Sequence, residues 1–218
     1  MERANRTGDY HEYVFRDGKL VGKFDDMYRY SKEVPWHQDK TSHGISAEID
    51  IAILKQRRYR SICDVGCGLG YFTDRLSREL NAQVTGIDIS ETATSKAGTL
   101  FPRCRFITGD LAKEALPKTE LFDLVTVKEV FWYVTSRLGA FLENVTSLVS
   151  DNGYLYVSQS FPECEKWVGQ DVIGSPEALR KILSGKVDIV YHCTEIDWDY
   201  HGRPFVHILG KKRSMRTG

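Results

Sequence analysis

From Ser61 onward the chain alternates between two hydrophobic patterns. Short β-rich apolar runs (SICDV, QVTGID, CRFIT, FDLVTV and GYLYVS) are separated by stretches with apolar residues at helical spacing, notably 71–80 and 136–149. Strand followed by helix, repeated, predicts an α/β fold: a parallel sheet with helices on both faces. Ser175, Pro176 and Glu177 predict a helix start, with serine capping and proline in the first helical position. The runs VDIVYHCTEIDW and RPFVHILGKK, joined by a short turn around 200–203, break the alternation. They predict a closing hairpin, so the last strand should run antiparallel.

Residues 1–58 precede the first strand and carry Tyr13, Phe15, Phe24, Tyr28, Tyr30 and Trp36, too many aromatics for a disordered tail. The expected organisation is a partly helical extension over 1–58 that folds across the site as a lid, a catalytic domain over 59–212, and a loose tail over 213–218.

Lysine plus arginine and aspartate plus glutamate number 30 each, so no overall field draws the protein to nucleic acid or an anionic membrane. The basic clusters KQRRYR and KKRSMR enter the first strand and leave the last, which should place both at the sheet end away from a ligand crevice. Nucleic acid is therefore not the expected substrate, and without a leader-like or membrane-spanning pattern the expected location is cytoplasmic. The five cysteines form no CxxC pair, and the histidines lack ligand spacing with acids or cysteines, so neither a disulfide framework nor a metal is expected.

Candidate chemistry concentrates at SICDVGCGLGYFT. Gly66, Gly68 and Gly70 let backbone approach a ligand, and the following helix offers unpaired N–H groups. A dinucleotide fingerprint wants its third glycine where Tyr71 stands, and Asp64 would set negative charge beside a pyrophosphate. A zwitterionic amino-acid ligand suits both features, its carboxylate meeting the helix and its ammonium meeting Asp64. Asp88, ending VTGID roughly 20 residues after the turn, stands where a carboxylate accepts from ribose hydroxyls. Asp110 after FITG could accept from an adenine amino group, with Leu111 against the ring.

DVGCGLG, GIDIS and GDL, in this order and spacing, resemble the first three motifs of the class I S-adenosylmethionine (SAM)-dependent methyltransferases. FDLVTVKEVFWYV resembles the fourth and DNGYLYVS the fifth strand. The resemblance spans about 61–210 and implies a Rossmann-like sheet of seven strands in the order 3-2-1-4-5-7-6. It implies Asp64, Gly66, Gly68 and Gly70 at the methionine end, Asp88 at the ribose, and Asp110 with Leu111 at the adenine. Ile89 and Lys128 complete the expected cofactor set, with S-adenosylhomocysteine as the second product.

A sulfonium methyl is already electrophilic, so alignment of the acceptor and removal of a proton are the main tasks. Ligands of open α/β sheets sit beyond the carboxyl ends of the strands, which points to the loops at 128–135 and 159–167. Many small-molecule members of the family carry a Glu-His pair in the fourth motif; here Glu129 is followed by Trp132 and Tyr133. That departure puts a histidine base from this loop in doubt and leaves Glu129 and Tyr133 as candidates. His37, in PWHQD of the extension, is the candidate base that titrates near neutral pH. Tyr28, Trp36, Gln38, Trp132 and Tyr133 are the expected substrate-pocket residues.

The expected activity is methyl transfer to an oxygen or nitrogen of a small polar molecule, such as a saccharide or secondary-metabolite intermediate. An RNA or protein methyltransferase, and a SAM-binding partner protein without catalysis, stay open at this point. So do the monomeric and homodimeric states.

Overall fold

The computed structural model describes residues 10–116, 120–161, 167–197 and 203–213. Nine strands and nine α-helices are formed among them. The extension holds α1 (His11–Val14), a small hairpin of β1 (Phe15–Arg16) and β2 (Lys19–Leu20), then α2 (Phe24–Tyr30), α3 (Gln38–Thr41) and α4 (Ile45–Leu54). Asp17 and Gly18, with φ of 50° and 71°, make the tight turn of that hairpin, the Asp-Gly pairing that left-handed hairpin turns favour.

The main sheet follows as β3 (Ser61–Val65), β4 (Gln83–Asp88), β5 (Arg105–Thr108), β6 (Phe122–Lys128), β7 (Val149–Ser160), β8 (Val187–Asp197) and β9 (Arg203–Lys212). Its order is β5-β4-β3-β6-β7-β9-β8, which counted along the chain is the expected 3-2-1-4-5-7-6. The strands from β3 to β7 pair in parallel, and β9 runs antiparallel to both its neighbours. The centre of the turn expected at 200–203 lies outside the described residues.

The intervening helices are α5 (Tyr71–Leu80), α6 (Glu91–Leu100), α7 (Phe131–Val134), α8 (Leu138–Ser147) and α9 (Pro176–Ser184). Helix α5 has the bounds its periodicity predicts. Helix α8 is shorter than the 136–149 pattern: a 3₁₀ turn occupies Thr135–Arg137, and Val149 already belongs to β7. The Ser175 hydroxyl accepts from the Ala178 N–H, confirming the cap of α9.

Both faces of the sheet are buried, as its continuous apolar strands require. Leu124, Tyr156 and Leu209 pack with Ala47, Ile51 and Leu54 of α4 and Phe72 and Leu76 of α5. Val125, Val127, Leu155 and Val157 pack on the other side with Phe141, Leu142 and Val145 of α8 and Leu179 of α9. A third cluster joins Met27 and Tyr28 of α2 to Leu69 of the glycine turn and Ala93 of α6. The extension is thus packed against the motif region.

One expectation fails at the C-terminus. Arg213, placed in the loose tail, is tied down: its Nε lies 2.8 Å from Asp188 and Nη2 2.6 Å from the Ser184 carbonyl.

Candidate active site

The parallel strands carry the expected acids to one end of the sheet. Asp64 of β3 is opposite Thr126 of β6, and both its oxygens are engaged, by the Thr73 hydroxyl at 2.7 Å and the Thr126 hydroxyl at 2.7 Å. Burial pushes its carboxyl up to about 6. Gly66, Gly68 and Gly70 all have positive φ, at 75°, 54° and 82°. A Cβ at Gly66 would stand 2.3 Å from a Val130 methyl, so backbone geometry and space both demand glycine there.

Asp88 locks this turn to the next strand. Its carboxylate accepts from the Gly68 N–H at 2.8 Å and the Ser90 N–H at 2.9 Å. Burial pushes the Asp88 carboxyl up, and these N–H donors oppose the shift. The extension completes the frame. The Gln38 carbonyl oxygen accepts from the Leu69 N–H at 3.0 Å, and a Cβ on Gly68 would lie 2.5 Å from the Tyr28 hydroxyl. Asp25 of α2 accepts from the Ser90 hydroxyl and the Thr92 N–H at the start of α6.

Gln38 and Tyr28 therefore border the glycine turn. Both are expected pocket residues; here the Gln38 side chain bonds the Leu69 N–H of the cofactor motif, and the Tyr28 hydroxyl stands beside Gly68. The cradle is a close-packed glycine backbone with buried carboxylates on either side. Among the described residues, Asp64, Asp88 and Glu129 form no ion pair, and accept only from hydroxyl, amide and backbone N–H donors. That donor set fits a ligand bringing an ammonium and ribose hydroxyls, and opposes a diphosphate.

Asp110 is half-buried and already used locally, accepting from the Ala112 N–H at 3.0 Å and pairing with Lys113 at 2.9 Å. Leu111 is a correction: its side chain lies in the core with Ile87 and Leu142. Ile89, 44% exposed beside Asp88, is left as the accessible apolar residue of the expected set.

Lys128 is a second correction. Its ammonium lies 2.6 Å from buried Asp50 of α4 and over the rings of Phe72 and Phe205, so a carboxylate takes the cation expected at the cofactor. Trp132 is a third. It is 8% exposed and packs edge-on against Phe161 and Trp167, because the α7 turn directs it into the core.

Tyr133 points the other way, toward the extension. Its ring lies 5.2 Å from Phe24, 5.8 Å from Trp36 and 5.9 Å from Phe15. Burial raises its phenol, so it remains a hydrogen-bond donor at neutral pH. Glu129 has a φ of 57°, a strained conformation for this residue type. Its carboxylate receives the Ser160 hydroxyl at 2.7 Å, the Ser160 N–H and the Gln159 amide. Burial pushes that carboxyl up. Trp36 and His37 also have positive φ, at 52° and 48°, and the His37 side chain is exposed.

Sequence reasoning missed Asp50, Thr73 and Thr126, whereas Gln159 and Ser160 fall in the expected 159–167 segment. Only Asp50 left a trace: it shares the buried face of α4 with Ala47, Ile51 and Leu54, an acid where the pattern calls for an apolar residue. A cleft of about 690 Å³ beside Arg58, Arg60, Asn81 and Asp123 lies at the opposite sheet end with the first basic cluster. Its lining includes none of the glycine turn, Asp88, Asp110 or Glu129.

Residues 62–153 match the family of methyltransferase domains. Two relatives of this domain are a sterol 24-C-methyltransferase of Gibberella zeae, 28% identical over 65% of this chain and 40% of its own length, and a ubiquinone biosynthesis O-methyltransferase of Bradyrhizobium diazoefficiens, 31% identical over 57% of this chain and 49% of its own length. The chain thus spans under half the length of either. The methyltransferase fold extends beyond the matched residues: the N-methyltransferase NodS of Bradyrhizobium japonicum, crystallised with S-adenosylhomocysteine, superposes with a TM-score of 0.62 at 16% identity, covering 94% of this chain and 97% of that one. No helix among the described residues is long and apolar enough to cross a membrane.

Proposed function

We propose that this chain is a methyltransferase using SAM to methylate an oxygen or nitrogen of a small polar molecule, such as a saccharide or secondary-metabolite intermediate. The observation that carries the reading is the glycine turn fastened between buried Asp64 and Asp88, neither carrying a cationic partner among the described residues. Such a site favours a cationic ligand over a neutral one. When bound, SAM supplies an electrophilic methyl for in-line displacement.

The chain's own residues divide the remaining work. Asp64 faces the ammonium end, Asp88 accepts from the ribose and Ile89 covers the adenine. Gln38 and Tyr28 close the turn from the extension, which supports reading 1–58 as a lid. Glu129, fixed by Ser160 and Gln159, and the Tyr133 hydroxyl present a carboxylate and a donor to the acceptor. Glu129 also offers a place for the acceptor's proton. His37 belongs to this reading only if the lid brings it to the acceptor; a His37→Ala variant with unchanged turnover would remove it.

Calorimetric titration tests the reading. Saturable SAM binding with no NADH binding is expected; the reverse would overturn it.

A further inference from the structure

Behind the acceptor loop lies a hydrogen-bonded cluster that the expected mechanism does not use. Asp50 is fully buried and accepts from Lys128 Nζ at 2.6 Å and from the Tyr156 hydroxyl at 2.8 Å, with His207 Nδ1 at 2.9 Å. His207 Nε2 lies 3.5 Å from Glu195, which also receives the Ser46 hydroxyl. Ser46 and Asp50 are one helical turn apart, so one face of α4 is bonded to β6, β7, β8 and β9. Burying such charges is costly, and apolar residues of similar size would hold the helix as well. The arrangement therefore calls for a reason beyond cohesion.

Position supplies one. Lys128 is the last residue of β6, and the next residue is Glu129, whose backbone is held at positive φ. The Glu129 N–H donates to the Ser158 carbonyl, and Ser158 pairs in register with both Lys128 and His207. We propose that Lys128, pinned by Asp50 of the extension, is the positioning residue for the Glu129 carboxylate. This rests on the reading of Glu129 as the acceptor-facing carboxylate. The fixed ammonium holds the end of β6 and favours the ionised carboxylate, whereas Asp50 disfavours it, and the Glu129 carboxyl carries both influences. The other ionisable groups around it are Tyr133 of α7, with Tyr10 beyond it in the extension, and His207 and Glu195 behind Asp50.

The test needs neither cofactor nor acceptor. Protein labelled with ¹³C at glutamate carboxyls is titrated by NMR, and the Glu129 signal is identified by its loss in Glu129→Gln. Asp50→Asn should move the Glu129 midpoint to lower pH and Lys128→Met to higher pH. The double variant should return it toward the original value, and Lys128→Arg should leave it in place. A purely structural cluster would not produce shifts of opposite sign. Coincident midpoints, or shifts in one direction only, would overturn the proposal. If Lys128→Met does not fold, Asp50→Asn and the double variant decide it by the same criterion. Calorimetry with SAM on the unaltered protein is independent, so failure of the methyltransferase reading and failure of this one are told apart.

Discussion

At the scale of single residues, the deciding property is the state of buried carboxyls. Asp64 has its carboxyl pushed up to about 6, above the ~3.9 of an unfolded chain. A raised acid stabilises the fold while protonated, and that contribution is lost as pH rises from ~4 through ~6. A ligand ammonium reverses the preference, because it favours the ionised form. SAM should therefore bind more tightly as pH rises from ~5 to ~7, and Asp64→Asn should flatten this dependence in calorimetric titrations. On the proposed ribose contact, Asp88→Ala removes that acceptor as well as the one for the Gly68 N–H, so SAM affinity should fall by about 10- to 100-fold. Unchanged affinity would refute the ribose assignment. These acids were legible because each stands within one residue of a strand end, beside a turn. Thr73 and Thr126, which hold Asp64, were not, since a threonine in a helix or strand reads as packing until the register sets it opposite an acid.

At the scale of elements, turns and caps were the most readable features. Ser175 caps α9 as its neighbours implied, and Ser175→Ala should cost about 1 kcal/mol in urea unfolding while sparing SAM binding. Gly66→Ala is the opposite case: a left-handed residue costs roughly 1–2 kcal/mol before the Val130 contact is counted. It should lower both stability and SAM affinity; a variant as stable as the parent would contradict the close packing described. Helix α4 is where element-level reading fell short. The sequence predicts only a partly helical extension here, and not that Asp50 would take Lys128 away from the cofactor. Periodicity shows which residues go inward, not which partner they meet there.

At the scale of the whole molecule, the extension and the sheet act together. Gln38, Tyr28 and Asp25 bond to the glycine turn and to α6, so ligand binding and ordering of this segment should be coupled. Hydrogen exchange should slow across 24–43 when SAM is added, and Gln38→Ala should speed exchange of the Leu69 amide without ligand. No change in either would remove the lid reading. Equal numbers of acidic and basic residues, with the first basic cluster at the far end of the sheet, predict no salt-dependent RNA retention in filter binding.

The sequence alone determined the strand and helix order, the antiparallel close and the acids beside the glycine turn. All of these rest on local periodicity and on glycines that tolerate positive φ. Only the tertiary structure decided that Lys128 faces Asp50, that Trp132 turns into the core, and that Gln38 reaches the glycine turn. Those outcomes depend on side chains brought together from segments far apart in the chain, a relation that local pattern does not encode.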